Sequence, residues 1–223
     1  MSLYLGSEKV ENVTAQITLP VEPSDDLPLA DGTASAGVSK KFSRADHVHP
    51  SEENSMLLGN IDITMPTNAA WYSVCYGNSK FVAIAWGYSS DVAAYSTDGI
   101  NWTQTTLPTT GEWCSVCYGN DKFVAVAENS SVAAYSTDGI NWTQATMPGS
   151  GKWYSVCYGN DKFVAICMDN TLSAYSTDGV TWTRTRLPII KEWRSVCYGN
   201  GKFVAVAGNN SVSAYSTDGI NWT

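Results

Sequence analysis

Residues 71–223 contain four copies of one motif, and that repetition limits the possible folds more than any other feature of the chain. Each copy opens Trp-x-Ser-Val-Cys-Tyr-Gly-Asn-x-Lys-Phe-Val-Ala and crosses a variable stretch. It then reads Ala-Tyr-Ser-Thr-Asp-Gly-x-x-Trp-Thr and, in the first three copies, ends in Leu/Met-Pro. Tyr95, Tyr135, Tyr175 and Tyr215 fall 40 residues apart. The opening tryptophans are Trp71, Trp113, Trp153 and Trp193, and an insertion of two residues in the Trp86–Asp91 stretch lengthens the first interval. A period in the low forties is the length of a four-stranded propeller blade.

Alternation and breakers place the strands inside a copy. Trp113, Ser115 and Cys117 are expected on one face of a first strand, with Cys114, Val116 and Tyr118 on the other. Gly119-Asn120-Asp121 is a tight turn, Lys122–Ala127 a second strand and Ser131–Ser136 a third. Asp138-Gly139 signals a hairpin, and Trp142–Met147 forms a fourth strand stopped by Pro148. One such meander cannot bury both faces alone, so the copies must stack. The expected fold is all-β, a small propeller of four four-stranded blades.

The last copy stops at Trp222-Thr223 without its Leu/Met-Pro tail, while Ile61–Pro66 aligns with Thr143–Pro148. Residues 61–66 are therefore expected to complete the final blade and latch a closed ring, removing an exposed sheet edge. Two chains sharing one larger ring is the open alternative. The domain reading is an N-terminal segment over 1–58 and a propeller over 59–223.

Bulk properties exclude several classes. The formal charge is −8, which disfavours nucleic acid and anionic membranes as partners. The opening Met1–Gly6 lacks the basic and apolar regions of a secretory signal, and no apolar run is long enough to span a bilayer. A soluble chain without membrane insertion is expected. Cys75, Cys117, Cys157 and Cys197 occupy one slot of the repeat and read as small buried hydrophobes. Cys114 and Cys117 form a CxxC by accident of the repeat, with no second pair to complete a zinc site.

Ser96-Thr97-Asp98-Gly99-Ile100-Asn101-Trp102 recurs at 136–142, 176–182 and 216–222. It resembles the Asp-box (BNR repeat) of sialidase-type propellers, one residue shorter between Asp and Trp. The resemblance implies a structural role for Asp98, Asp138, Asp178 and Asp218, with the Asp tying the hairpin and the Trp packed between blades. Calcium binding by these residues is the alternative reading.

The copies differ unevenly. The Tyr-Gly-Asn-x-Lys and Ser-Thr-Asp-Gly turns hardly change, whereas the connection between strands two and three and the stretch after the proline vary freely. Alternate turns of a meander lie at opposite ends, so one face of the propeller is invariant and the other variable. The variable face offers Trp86, Tyr88, Glu128, Asn129, Asp169, Asn170, Asn209 and Asn210 as candidate ligand-binding residues. Aromatics and amides together suit stacking on, and hydrogen bonding to, a sugar or a protein. The residue after each opening Trp also varies (Tyr72, Cys114, Tyr154, Arg194) and is placed at the mouth or against the neighbouring blade. An enzyme is not expected. The repeats hold only Arg184, Arg186 and Arg194, short of the arginine cluster that a sialidase-like site needs, and both histidines lie outside them.

Residues 1–58 are acidic, Pro-containing and non-repetitive. Gly32–Pro50, ending Ala45-Asp46-His47-Val48-His49-Pro50, resembles a motif of bacteriophage tail fibres and related tail-like particles. His47 and His49 point the same way in an extended chain, and three parallel chains would present six imidazoles around an axis. That suits iron or another octahedral transition metal, and the resemblance implies such a trimeric His-x-His site. The opening Ser2–Val10 resembles the starts of phage tail proteins, placing attachment to a tail or baseplate protein at this end. The combined expectation is a homotrimeric receptor-binding protein of a virion tail or tail-like particle, made in the bacterial cytoplasm. It would dock by its N-terminus and bind a host-surface glycan or protein. A purely structural spacer and a glycan-cleaving enzyme are the alternatives.

Overall fold

The computed structural model describes residues 64–208 and 211–223. His47, His49, Asn209, Asn210 and residues 61–63 of the anticipated latch lie outside them. The described residues contain strands and turns and no helix.

Blade 1 consists of β1 (Ala70–Gly77), β2 (Lys80–Trp86), β3 (Ser90–Ser96) and the start of β4 (Thr103–Gly119). Blade 2 follows with the end of β4, then β5 (Lys122–Glu128), β6 (Ser130–Ser136) and the start of β7 (Thr143–Gly159). The end of β7 opens blade 3, joined by β8 (Lys162–Met168), β9 (Asn170–Ser176) and β10 (Thr183–Lys191). Blade 4 holds β11 (Trp193–Gly199), β12 (Lys202–Ala207) and β13 (Ser213–Ser216). In blade 4, Thr223 exchanges backbone bonds with Tyr215 at 2.9 and 3.0 Å, at the position where the fourth strand starts in the other blades. All pairings between consecutive strands are antiparallel. β4 and β7 run unbroken from the outer edge of one blade to the inner edge of the next, so the first ten strands form one continuous meander.

The turn between the first two strands is set by Asn120 and Asp121, both at positive φ (42° and 56°). Two such residues give the turn whose twist matches its strands, and Asn and Asp tolerate it best. The Ser-Thr-Asp-Gly hairpin is held by its own side chains. Asp138 Oδ1 accepts from the N–H groups of Ile140 and Asn141, each at 2.8 Å, and Oδ2 accepts from the Asn141 amide at 2.7 Å. Ser136 Oγ donates to Asp138 at 2.9 Å and accepts from Gly139 N–H at 2.8 Å. The same set recurs around Asp98 and Asp218, and Thr181 takes the place of Asn beside Asp178.

One expectation about the first strand is corrected. Trp113 pairs with Ala127 and Ser115 with Val126, so Cys114 is the extra residue of a β-bulge. The bulge recurs at Tyr72, Tyr154 and, in blade 4, at Arg194. It moves Trp113 onto the face of Val116 and Tyr118, away from Ser115 and Cys117. Simple alternation fails because the bulged residue consumes no partner.

The blades stack through apolar faces. Between blades 1 and 2, Val82, Ile84 and Ala93 meet Trp113, Val116, Phe123 and Ala125. The next two junctions repeat this set, centred on Trp153 with Phe163 and on Trp193 with Phe203. Cys75, Cys117 and Cys157 belong to these junctions, and all six cysteines are free thiols.

The stacked blades leave two bare faces, one at each end. Val116, Val156 and Val196 are each 5% exposed, but their counterpart Val74 in blade 1 is 59% exposed. Val126 and Ile166 are fully buried, but Val206 in blade 4 is 45% exposed. Of the expected latch, Met65 lies with Trp71 and Trp102 along a 270 Å³ cavity on blade 1.

Candidate functional site

Register fixes which turns share an end. Ala70 pairs with Trp86, Glu112 with Glu128, and Lys152 with Met168. Ser90 faces Gly111, and Ser130 faces Gly151. Both variable connections therefore gather at one end of the blades, where the inner strands begin. Trp86, Tyr88, Glu128, Asn129, Asp169 and Asn170 all lie there. Within blade 1, the rings of Trp86 and Tyr88 are 5.3 Å apart, and Tyr88 is 82% exposed. Elsewhere these residues turn to their own blade. The Asn129 amide donates to Glu112 at 2.6 Å, Lys152 meets Asp169 at 3.1 Å, and Asn170 Oδ1 accepts from Leu172 N–H at 2.6 Å.

The bulge brings together residues that are far apart in the sequence. At this same end it aims Tyr72, Cys114, Tyr154 and Arg194 off the inner strands. The hydroxyls of Tyr72 and Tyr154, two blades apart, are hydrogen-bonded, and their rings meet edge-on at 6.3 Å. Arg194 donates to the Tyr154 hydroxyl at 3.3 Å and sets its guanidinium 5.2 Å from that ring's centroid. It also reaches Glu192 at 3.4 Å. Cys114 Sγ lies 3.1 Å from the Glu112 carbonyl and 3.3 Å from the Glu128 carboxylate, the two acceptors open to its one S–H.

Burial, and then the Tyr154 hydroxyl, push the Tyr72 phenol well above its usual range, so it stays protonated. Burial and the Glu128 carboxylate do the same to the Cys114 thiol. Burial works against the charge on Arg194, but bonds to Tyr154 and Glu192 outweigh it and the guanidinium stays charged. The cluster thus presents a fixed cation, a pair of phenols and carboxylates on either side. Such a surface can stack on a ring, donate to a hydroxyl or carboxylate, and accept from an amine. Variation after each opening Trp was the sequence signal for it, but the bulge that focuses the four positions was not visible.

Among the described residues no group of His, Cys, Asp or Glu is arranged to hold a metal. The oxygens of Asp98, Asp138 and Asp218 are occupied by N–H and O–H donors of their own hairpins. The His47/His49 site falls outside the described residues, as do Asn209 and Asn210.

Stacked four-stranded antiparallel blades joined through their inner strands define a β-propeller. The chain belongs to the family described as the DUF6242 β-propeller domain, which matches residues 107–223, just over half of its length. Virginiamycin B lyase from Staphylococcus aureus is similar in fold, with a TM-score of 0.62 and 13% identity over 71% of this chain and 56% of that one. YCF48 from Cyanidioschyzon merolae gives 0.56 and 13% over 72% and 57%. The Niastella koreensis GH74 enzyme gives 0.51 and 24% over 71% and 24%. The chain thus spans little more than half the length of the first of these. No curated protein sequence matches it.

Proposed function

We propose that the chain is a receptor-binding component of a phage or phage-like tail, holding a host-surface glycan or protein at the variable end of its propeller. The observation that carries this reading is the contrast between the ends. At one end the turns repeat almost unchanged and bond to themselves. At the other, Tyr72 and Arg194 reach the hydroxyl of Tyr154 from the same repeat position, and Tyr88 stands exposed against Trp86. Near-identical repeats that diverge at one end are what recognition there would leave. A charged guanidinium among aromatic rings suits a sugar bearing a carboxylate.

The tail assignment rests on the resemblance of residues 1–58 to tail-fibre sequences. On this reading residues 1–58 dock to a tail or baseplate protein and trimerise, with His47 and His49 of three chains holding iron or a related metal.

A glycan array probed with the full chain tests the binding reading. Signal for a restricted set of glycans, lost on Trp86→Ala, Tyr88→Ala or Arg194→Ala, is expected. Binding that survives all three substitutions removes the variable end as the site. Iron content by mass spectrometry, and its loss on His47→Ala, tests the metal.

A further inference from the structure

The three junctions between blades are built from one set of contacts, repeated almost to the ångström. Ser73 Oγ accepts from Val116 N–H, Ser115 from Val156 and Ser155 from Val196, each at 3.1 Å. The Asn78 amide donates to the Thr137 carbonyl at 3.1 Å, Asn120 to Thr177 at 3.0 Å, and Asn160 to Thr217 at 3.3 Å. The rings of Tyr118, Tyr158 and Tyr198 lie on Gly77, Gly119 and Gly159 so closely that a Cβ would overlap them. Each junction therefore takes one half from the leading face of a blade and the other from the trailing face of its predecessor.

A fourth complete set remains unused. Blade 4 presents the predecessor's half: Ser195 is exposed, and no described residue lies where a Cβ on Gly199 would meet one. Val206 is 45% exposed there. Blade 1 presents the other half, with Val74 and Tyr76 each 59% exposed. The cavity along Met65, Trp71, Val74 and Ala83 occupies the place a preceding blade would fill. The two halves are complementary by construction, yet both stay exposed within one chain.

We propose that two copies of this chain join head to tail, blade 4 of each on blade 1 of the other, to close one ring of eight blades. The partner is a second copy because the only surface known to fit blade 1 is the trailing face repeated three times in this chain, and blade 4 carries a free example of it. A head-to-tail contact made twice about a two-fold axis closes and leaves no end bare. The inference does not rest on the receptor-binding reading.

Sedimentation velocity and light scattering of the full chain test it, together with Val74→Glu and Val206→Glu. Both substitutions fall on faces exposed within one chain, and circular dichroism checks that each variant folds. An even number of chains is expected: two, or six if residues 1–58 also trimerise. Either substitution places an unpaired charge in the junction and should weaken pairing ~100-fold or more. Alkylation of the exposed Cys197 should be slow in the wild type and fast in Val206→Glu. An odd number of chains, or a mass that neither substitution changes, overturns the proposal. A monomer with Cys197 protected would mean that the chain closes on itself, which overturns it equally.

Discussion

The ring of Tyr158 in blade 3 rests on Gly119 of blade 2, at a place where even a methyl group would collide with it. Gly119 is not needed here for an unusual backbone; the neighbour's ring takes the space of its missing side chain. Gly119→Ala should therefore cost about 1–3 kcal/mol by overpacking. Gly199→Ala, made in the Val206→Glu background where pairing is removed, should stay within about 0.5 kcal/mol. Urea denaturation of the two variants checks this, and equal losses would show that space at the junction is not what selects glycine.

Ser136 is 2% exposed and ties the Asp138 hairpin by donating to the carboxylate and accepting from the N–H of Gly139. Ser136→Ala leaves that N–H buried without its acceptor and should cost about 1–3 kcal/mol. A smaller loss on Ser136→Thr, which keeps the oxygen, separates the hydrogen bond from packing. Thermal unfolding of both variants provides the comparison.

The hairpin carboxylates also set an acid limit. Burial would raise the Asp178 carboxyl, but N–H bonds from Thr181 and Val180 and the Ser176 hydroxyl outweigh it and hold the value at about 2. The bonds from Asn101 and its neighbours hold Asp98 below the ordinary range as well. A carboxyl depressed in the folded state lets the unfolded chain bind the proton first. Its contribution is complete above about pH 4 and is lost as pH falls towards 2. Stability measured across that window should fall less steeply in Asp178→Asn than in the wild type. Parallel slopes would show that Asp178 does not couple folding to pH.

Much of this fold could be read from the sequence, because repetition averages out local ambiguity. Four copies of Tyr-Gly-Asn-x-Lys and Ser-Thr-Asp-Gly fix the turns, and the strands between them have little freedom. The expected second and third strands of blade 2, Lys122–Ala127 and Ser131–Ser136, differ from those formed by one residue each. The grouping of Trp86, Glu128 and Asp169 at one end also followed, since alternate turns of a meander must lie on opposite ends. The bulge at Tyr72, Cys114, Tyr154 and Arg194 did not follow. It arises where the strand must turn Trp113 towards one neighbour and Ser115 towards the other, a demand made by the stacked blades and not by local sequence. The bare faces at Val74 and Val206 were equally hidden, because their residues match those buried in the middle blades.

Tyr154 gives the sharpest test of the site, because its hydroxyl is the point where Tyr72 and Arg194 meet. Tyr154→Phe keeps the ring, and with it the stacking under the guanidinium, but removes both hydrogen bonds. The groups are partly exposed and water can replace the lost partner, so stability should change by less than about 1 kcal/mol. Arg194 would keep its contact with Glu192 but lose the bond that fixes it over the ring. If the cluster binds ligand through a positioned cation, Tyr154→Phe should weaken glycan binding about tenfold while leaving the unfolding temperature nearly unchanged. Arg194→Lys should weaken it at least as much, because an ammonium cannot offer the planar pair of donors. Titration of a glycan selected on the array against the three proteins checks this. Undiminished affinity in both variants would move the binding site off the inner cluster and onto Trp86 and Tyr88 alone.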